Sequence, residues 1–292
     1  MLRSGPTKRW LLPAALAAAA AIAGGCRTED ASSKAPATRP AGPPIRMVVM
    51  DPMAEKLTRG CIPGYAQRKY DRLGKFLEKR LARPVLIAHT EDLATVLRLN
   101  PGKVHVLVGK RSIVECDVER CAITARPIAM LTDRDGRTHT TGAFVVRADD
   151  PADGIADLAG RKIVFGPAED VERRAAALAA LKAAGVPAPA KLATRPSCNA
   201  AALDVVEKTA NAAVISSYQL PRLVGCGVVE KGALRVVGNT APVPFVTLFA
   251  TDALDAEQRE ALLDALLAMR QDRTLLKQME SSSGFVPIAA AR

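Results

Sequence analysis

The stretch Arg137–Gly166, RTHTTGAFVVRADDPADGIADLAGRKIVFG, decides how the rest of the chain is read. It opens on a polar, hydroxyl-rich turn, His139-Thr140-Thr141-Gly142. The apolar run Ala143–Arg147 follows and spells a buried strand. A Pro/Asp/Gly turn then leads into the short DLAG element at Asp157–Gly160. A second strand, Lys162–Phe165, ends at Gly166-Pro167 and opens into a helix. Open α/β sheets bind ligands at strand ends of this kind, so an α/β fold with a ligand site near the His139 turn is expected.

C-terminal to this stretch, Val171–Ala184 reads as a helix with Val171, Ala175, Leu178 and Leu181 on one face, closed by Gly185 and Pro187. Ala200–Glu207 reads as another helix. Ala212–Ser216 is a strand running into Ser217-Tyr218, and Leu234–Val237 is a further strand. Pro242-Val243-Pro244 makes a stiff turn before a strand at Phe245–Ala250 and a helix at Asp255–Met269. On the N-terminal side, Ile45–Met50 is a strand. Tyr65–Leu81 is an amphipathic helix with Tyr70, Leu73, Leu77 and Leu81 on its apolar face. Strands at Pro84–His89 and Val104–Val108 flank a short helix at Asp92–Leu99, and the second runs into Gly109-Lys110-Arg111-Ser112. Alternating strands and helices with short joints imply a parallel sheet. Arg126–Leu131 adds a strand. The Asp-rich loop after it lacks the spacing and closing Glu of a calcium loop, so Asp135-Gly136 reads as a hairpin turn.

Of the 292 residues, the first 26 read as a leader and not as fold. Arg3, Lys8 and Arg9 precede an apolar run, Trp10–Ile22, which ends at Ala23-Gly24-Gly25-Cys26. This resembles a bacterial lipobox and implies lipidation of Cys26, with ordinary signal cleavage near the same place as the alternative. Residues 27–44, RTEDASSKAPATRPAGPP, read as a solvated tether. Loss of the leader takes the formal charge from +11 to +8. The basic residues are scattered without aromatic interleaving, which argues against nucleic-acid binding. Five further cysteines remain: Cys61, Cys116, Cys121, Cys198 and Cys226. Export favours pairing. Cys198 and Cys226 flank one strand-like run and are the preferred pair, and the odd count leaves at least one thiol free or shared between molecules. His89, His105 and His139 are far apart and make no metal signature. Neither GxSxG nor HExxH occurs, so no catalytic function is expected, and no cofactor or metal.

Several segments, taken in order, resemble the phosphate/phosphite/phosphonate-type substrate-binding proteins of bacterial ABC importers, within the type II periplasmic binding proteins. They are Tyr70-x-x-Leu73-x-x-Phe76-Leu77-Glu78; Gly142-x-Phe144-Val145-Val146-Arg147-x-Asp149; Asp157-Leu158-x-Gly160-x-Lys162-Ile163-x-Phe165-Gly166; Leu181-x-x-x-Gly185-Val186; and Gly284-Phe285-Val286-Pro287. The resemblance implies two α/β lobes around a ligand cleft. Lobe one would be residues 45–137 plus 237–292 and lobe two residues 138–236, with a crossing near Pro242. It further implies a monomeric, periplasmic, lipid-anchored protein that delivers a small anionic or zwitterionic, phosphonate-like solute to an importer permease.

Candidate ligand residues are Tyr65; Lys110, Arg111 and Ser112; His139, Thr140, Thr141 and Gly142; and Ser216, Ser217 and Tyr218. Hydroxyls and backbone amides can satisfy oxyanions without full charge neutralisation. Glu169 and Asp170 depart from the pattern. They lie at an expected helix N-terminus, a natural anion site, where carboxylates would repel a phosphonate. A zwitterion with an amine beside its anionic group fits both signs. The rival reading is an anchored interaction or sensor module of the same fold that engages another exported protein.

Overall fold

The structure, a computed structural model, describes residues 42–58, 62, 64–99 and 102–288. The leader, Cys26, Cys61 and nearly all of the tether lie outside the described residues. Residues 39–292 form one compact unit, built on two sheets.

The first sheet has six strands in the order β13-β4-β12-β3-β1-β2. Here β1 is Ile45–Met50, β2 Val85–His89, β3 Val106–Lys110, β4 Ala125–Leu131, β12 Val246–Thr251 and β13 Phe285–Pro287. β1 pairs parallel with β2 and β3, as strand–helix alternation requires, whereas β12 runs antiparallel to β3 and β4. The second sheet has five strands, β10-β6-β9-β7-β8. These are β6 (Gly142–Arg147), β7 (Ile163–Phe165), β8 (Ala193–Thr194), β9 (Ala212–Ser216) and β10 (Leu234–Asn239). β10 continues to Asn239 within this sheet, so the boundary expected at residues 236–237 cuts a strand. A two-stranded ribbon joins the lobes: β5 (His139–Thr140) pairs with β11 (Val243–Pro244).

Both sheets are buried on both faces, which explains their nearly continuous apolar strands. Side chains alternate along a strand. Met47 and Val49 therefore face Tyr70, Leu73 and Leu77 of α1 (Tyr70–Leu81) and Leu262 and Leu266 of α7 (Ala256–Leu267). Val48 and Met50 face Leu93 and Val96 of α2 (Leu93–Leu99) and Val114 of α3 (Arg111–Arg120). In lobe two, Val145 and Ile215 meet Ala201, Ala202 and Val205 of α5 (Cys198–Val206). Phe144 and Val146 meet Ala177 and Leu181 of α4 (Ala175–Ala183).

Two helices differ from expectation for physical reasons. The amphipathic helix starts at Tyr70 and not at Tyr65. Arg68 exchanges backbone hydrogen bonds with Met53 and Glu55, and Ala66 has a φ of 52°, so the chain before Tyr70 is extended and turned. The helix expected from Val171 splits into a 3-10 turn, Val171–Arg173, and α4. Helix α3 was not expected, because RSIVECDVER presents only Val114 and Asp117 to the interior and lacks an apolar stripe.

Asp51, fully buried at the end of β1, fixes the start of α1. It accepts from Arg68 Nη1 (3.0 Å), from the Tyr70 hydroxyl (2.6 Å) and from the Met53 amide (2.8 Å). Removing the carboxylate leaves a buried guanidinium and a buried phenol unsatisfied. Asp51→Ala is expected to lower stability by about 3–5 kcal/mol, the usual cost of orphaning one partner of a buried ion pair. A denaturant melt with unchanged midpoint would refute that role.

Candidate functional site

The ribbon that joins the lobes forms one wall of a cleft of about 880 Å³. The ribbon is short and its ends are tied. Phe245 donates to the Thr138 carbonyl (2.9 Å). Thr240 and Gly142 clasp each other: the Thr240 amide donates to the Gly142 carbonyl (2.8 Å), and the Gly142 amide donates to Thr240 Oγ1 (2.8 Å). Gly142 is required by close approach, since a Cβ there would lie 2.2 Å from the Glu172 carbonyl oxygen.

The ribbon carries Thr138, His139, Thr140 and Thr141 into the cleft, where they meet Ser217 and Tyr218 at the end of β9. Thr140 Oγ1 and Ser217 Oγ are 3.1 Å apart, and the Thr141 amide donates to Ser217 Oγ (3.3 Å). Each hydroxyl has one proton. Whichever of the pair donates to the other, one hydroxyl proton is left for a third acceptor. His139 is exposed, and its Nδ1 is 2.9 Å from Thr138 Oγ1.

The opposite wall belongs to lobe one. Arg68 is buried against Asp51, lines the cleft, and its Nε–H has no hydrogen-bond partner among the described residues. Its guanidinium lies 5.8 Å from the centroid of Phe245, whose ring stacks on Tyr218 with centroids 4.7 Å apart. The Tyr65 hydroxyl donates to the Tyr218 carbonyl at 2.5 Å. Burial holds the Tyr65 pKa above its ordinary value, with Glu280 adding to the rise, so this phenol keeps its proton. Burial also pushes Tyr218 well above the usual phenol range, and Glu172 reinforces it.

At the mouth, charges are already paired. Arg137 bonds Asp133 (3.0 Å) and Asp135 across a turn with Gly136 at φ 83°. Arg134 bonds Glu280 (3.0 Å) and the Gly64 carbonyl. Burial raises the Glu280 pKa, and Arg134 and Arg68 counter part of that rise. Every arginine lining the cleft thus has a carboxylate at 3.0 Å or closer.

Of the expected ligand residues, Tyr65, His139, Thr140, Thr141, Ser217 and Tyr218 line this cleft, and Lys110, Arg111, Ser112, Gly142 and Ser216 do not. Arg111 turns to Glu115 (2.7 Å) along the surface of α3. Ser112 sits in the first turn of that helix with its hydroxyl buried and without a partner among the described residues. Gly142 has spent its amide on Thr240. Ser216 is buried and donates to Glu172 Oε1 (2.5 Å). Lys110, 4% exposed, sits between Asp170 and Glu172 (2.8 Å to Oε1). Burial pulls its pKa down, but Glu172 and Asp170 outweigh that, and the net shift is upward. Asp170 also bonds Arg173 (2.6 Å). Asp170 and Glu172 are therefore neutralised by Lys110 and Arg173, and neither they nor the exposed Glu169 line the cleft.

Arg68, Phe245, Arg134, Arg137, Glu280 and Met53 line the cleft without having been anticipated as ligand residues. The Pro242 turn was the one available signal for Phe245, which follows it directly. Arg68 falls within the segment that reads as an amphipathic helix, off the apolar face of Tyr70, Leu73, Leu77 and Leu81.

The preferred disulfide is not formed. Cys198 is a buried free thiol in the first turn of α5, its Sγ 3.9 Å from Ser216 Oγ. Cys116 and Cys121 are also free thiols, whereas Cys226 is disulfide-bonded to a partner outside the described residues. The α5–β9 packing points Cys198 into lobe two. Among the described residues no cluster of three or more His, Cys, Asp or Glu side chains is placed to hold a metal.

The family model described as "ABC transporter, phosphonate, periplasmic substrate-binding protein" matches residues 63–292. No curated protein matches the sequence. Among solved structures, XAC2383 from Xanthomonas citri bound to ATP is 20% identical, with a TM-score of 0.61, over 84% of this chain and 91% of that one. A binding-protein component of an ABC phosphonate transporter from Pseudomonas aeruginosa is 15% identical, with a TM-score of 0.61, over 84% and 82%. PhnD1 from Prochlorococcus marinus in complex with methylphosphonate is 14% identical, with a TM-score of 0.60, over 84% and 92%. These likenesses establish a two-lobed type II periplasmic binding protein fold.

The thiol assignment has a direct check. Alkylation of the unfolded, unreduced protein should mark Cys198 and spare Cys226 in the peptide masses. Joint protection of both would restore the pairing expected from sequence.

Proposed function

The chain belongs to the phosphonate ABC transporter periplasmic substrate-binding protein family, and on that premise we propose that its cleft holds a small solute with a phosphonate-like oxyanion head, anionic or zwitterionic. It is a binding protein and not an enzyme. The observation that supports this reading is a convergence of uncommitted donors from both lobes: one hydroxyl proton of the Thr140–Ser217 pair, and the Nε–H of Arg68. Because the cleft arginines are already paired, the oxyanion is held by directed hydrogen bonds more than by surplus positive charge. A solute touching both walls completes a solute-loaded form of the cleft, and an importer permease reads that form.

The protein works as a monomer, tethered outside the cytoplasmic membrane through lipidated Cys26. Among the described residues no helix is long and apolar enough to cross a membrane, and a lipid anchor supplies attachment without one.

Titration calorimetry with methylphosphonate, phosphate, phosphite, alkylsulfonates and an aminoalkylphosphonate tests the cleft. At least one should bind. The Thr140→Ala/Ser217→Ala variant should then lose about 1.5–3 kcal/mol per lost hydrogen bond to the charged head, or roughly ten- to a hundredfold in Kd, while its melting temperature barely moves. No heat from any of them would transfer the assignment to the partner-binding module. Fractionation of cells making Cys26→Ser is expected to find the protein released from membranes; undiminished membrane retention would remove the anchor.

A further inference from the structure

We propose that Lys110 is an intramolecular tether that holds the two lobes together without any contribution from solute. Its ammonium comes from the end of β3 in lobe one. Its partners, Asp170 and Glu172, come from the segment after β7 in lobe two. Lys110 and Glu172 are 4% and 0% exposed, and Asp170 is 9% exposed.

The carboxylates are fixed from their own side. Arg173 Nη1 holds Asp170 Oδ2 at 2.6 Å, and Ser216 holds Glu172 Oε1 at 2.5 Å. Arg173 is itself locked by the carbonyls of Arg195 (3.2 Å) and Val214 (3.3 Å). Lobe two thus presents a preorganised socket with two carboxylates and a single cation. Lobe one supplies the second cation, and the cluster reaches formal neutrality only when the lobes meet. Parting them breaks the contacts of both carboxylates to Lys110, and Glu172 Oε2, buried without a partner, already has no other donor among the described residues. Salt screens such a buried pair far less than a surface one.

In a two-lobed binding protein, solute contacts from both walls supply the free-energy difference that draws the lobes together. Here a lysine from one lobe makes that contact. The cleft still measures about 880 Å³ with the tether made, so solute can be held without breaking it. The lobes of the solute-free protein therefore stay together, and solute changes their spacing little.

The test places nitroxides at two exposed positions, Glu91→Cys in lobe one and Glu207→Cys in lobe two, in the full chain carrying Cys26→Ser, Cys116→Ser and Cys121→Ser. Pulsed dipolar spectroscopy on protein shown by native mass spectrometry to be solute-free should give one narrow distance, the one this structure sets. The additional double change Lys110→Met/Glu172→Gln removes the tether without orphaning a charge, because Asp170 keeps its pair with Arg173, and a longer or broader distribution is expected. A folded double variant with the parent's distribution would overturn the proposal. So would a longer or divided distribution in the solute-free parent, an outcome that needs no tether variant to fold.

Discussion

An ammonium group with almost no contact with water stays charged only if carboxylates replace the water. Lys110 meets that constraint by reaching across the molecule, and the architecture around the cleft follows from it. β3 must end where the segment after β7 begins, so the six-stranded and five-stranded sheets present their ends to each other. Glu172 must lie on the first residue of β6, which leaves room there for glycine alone. Ser216, the last residue of β9, must give its proton to Glu172, which leaves Ser217 and Tyr218 to face the cleft.

The same pairing rule recurs outward from that cluster. Arg68 is held by Asp51, Arg134 by Glu280, and Arg137 by Asp133 and Asp135. A cleft built this way has cations in its walls and little surplus positive charge. Hydrogen-bond geometry must then do the selecting, because a site whose donors are few and directed rejects solutes that leave them unpaired. This resolves the tension raised by Glu169 and Asp170 in the sequence. Asp170 is consumed by Lys110 and Arg173, and Glu169 is exposed.

Local periodicity made much of this legible. The nearly continuous apolar runs IRMVVM and GAFVVR mark strands buried on both faces, and the hydroxyls of Thr140 and Thr141 could be placed at a strand end from sequence alone. What escaped was everything set by long-range charge pairing. Lys110 in a Gly-Lys-Arg-Ser sequence looks like a solvated turn, and nothing nearby announces carboxylates 60 residues away. Arg68, beside other basic residues, looks like the wet face of a helix, yet it is 1% exposed because Asp51 draws it inward. Cys198 and Cys226 flank a strand as a disulfide pair would, but helical phase turns Cys198 toward Ser216.

Phe245 connects these parts mechanically. It is the last residue before β12 and closes the second crossing, with its amide bonded to Thr138 on the first. One contact of its ring is Tyr218 from lobe two, and another is the guanidinium of Arg68 from lobe one. A solute that pulls on Arg68 or presses on Tyr218 therefore acts on the hinge through a single side chain. Stacked rings and a cation over a ring tolerate sliding better than directed hydrogen bonds do, and they keep most of their attraction over small shifts. The hinge can thus adjust to solutes of different size while the buried ion cluster keeps the lobes in register.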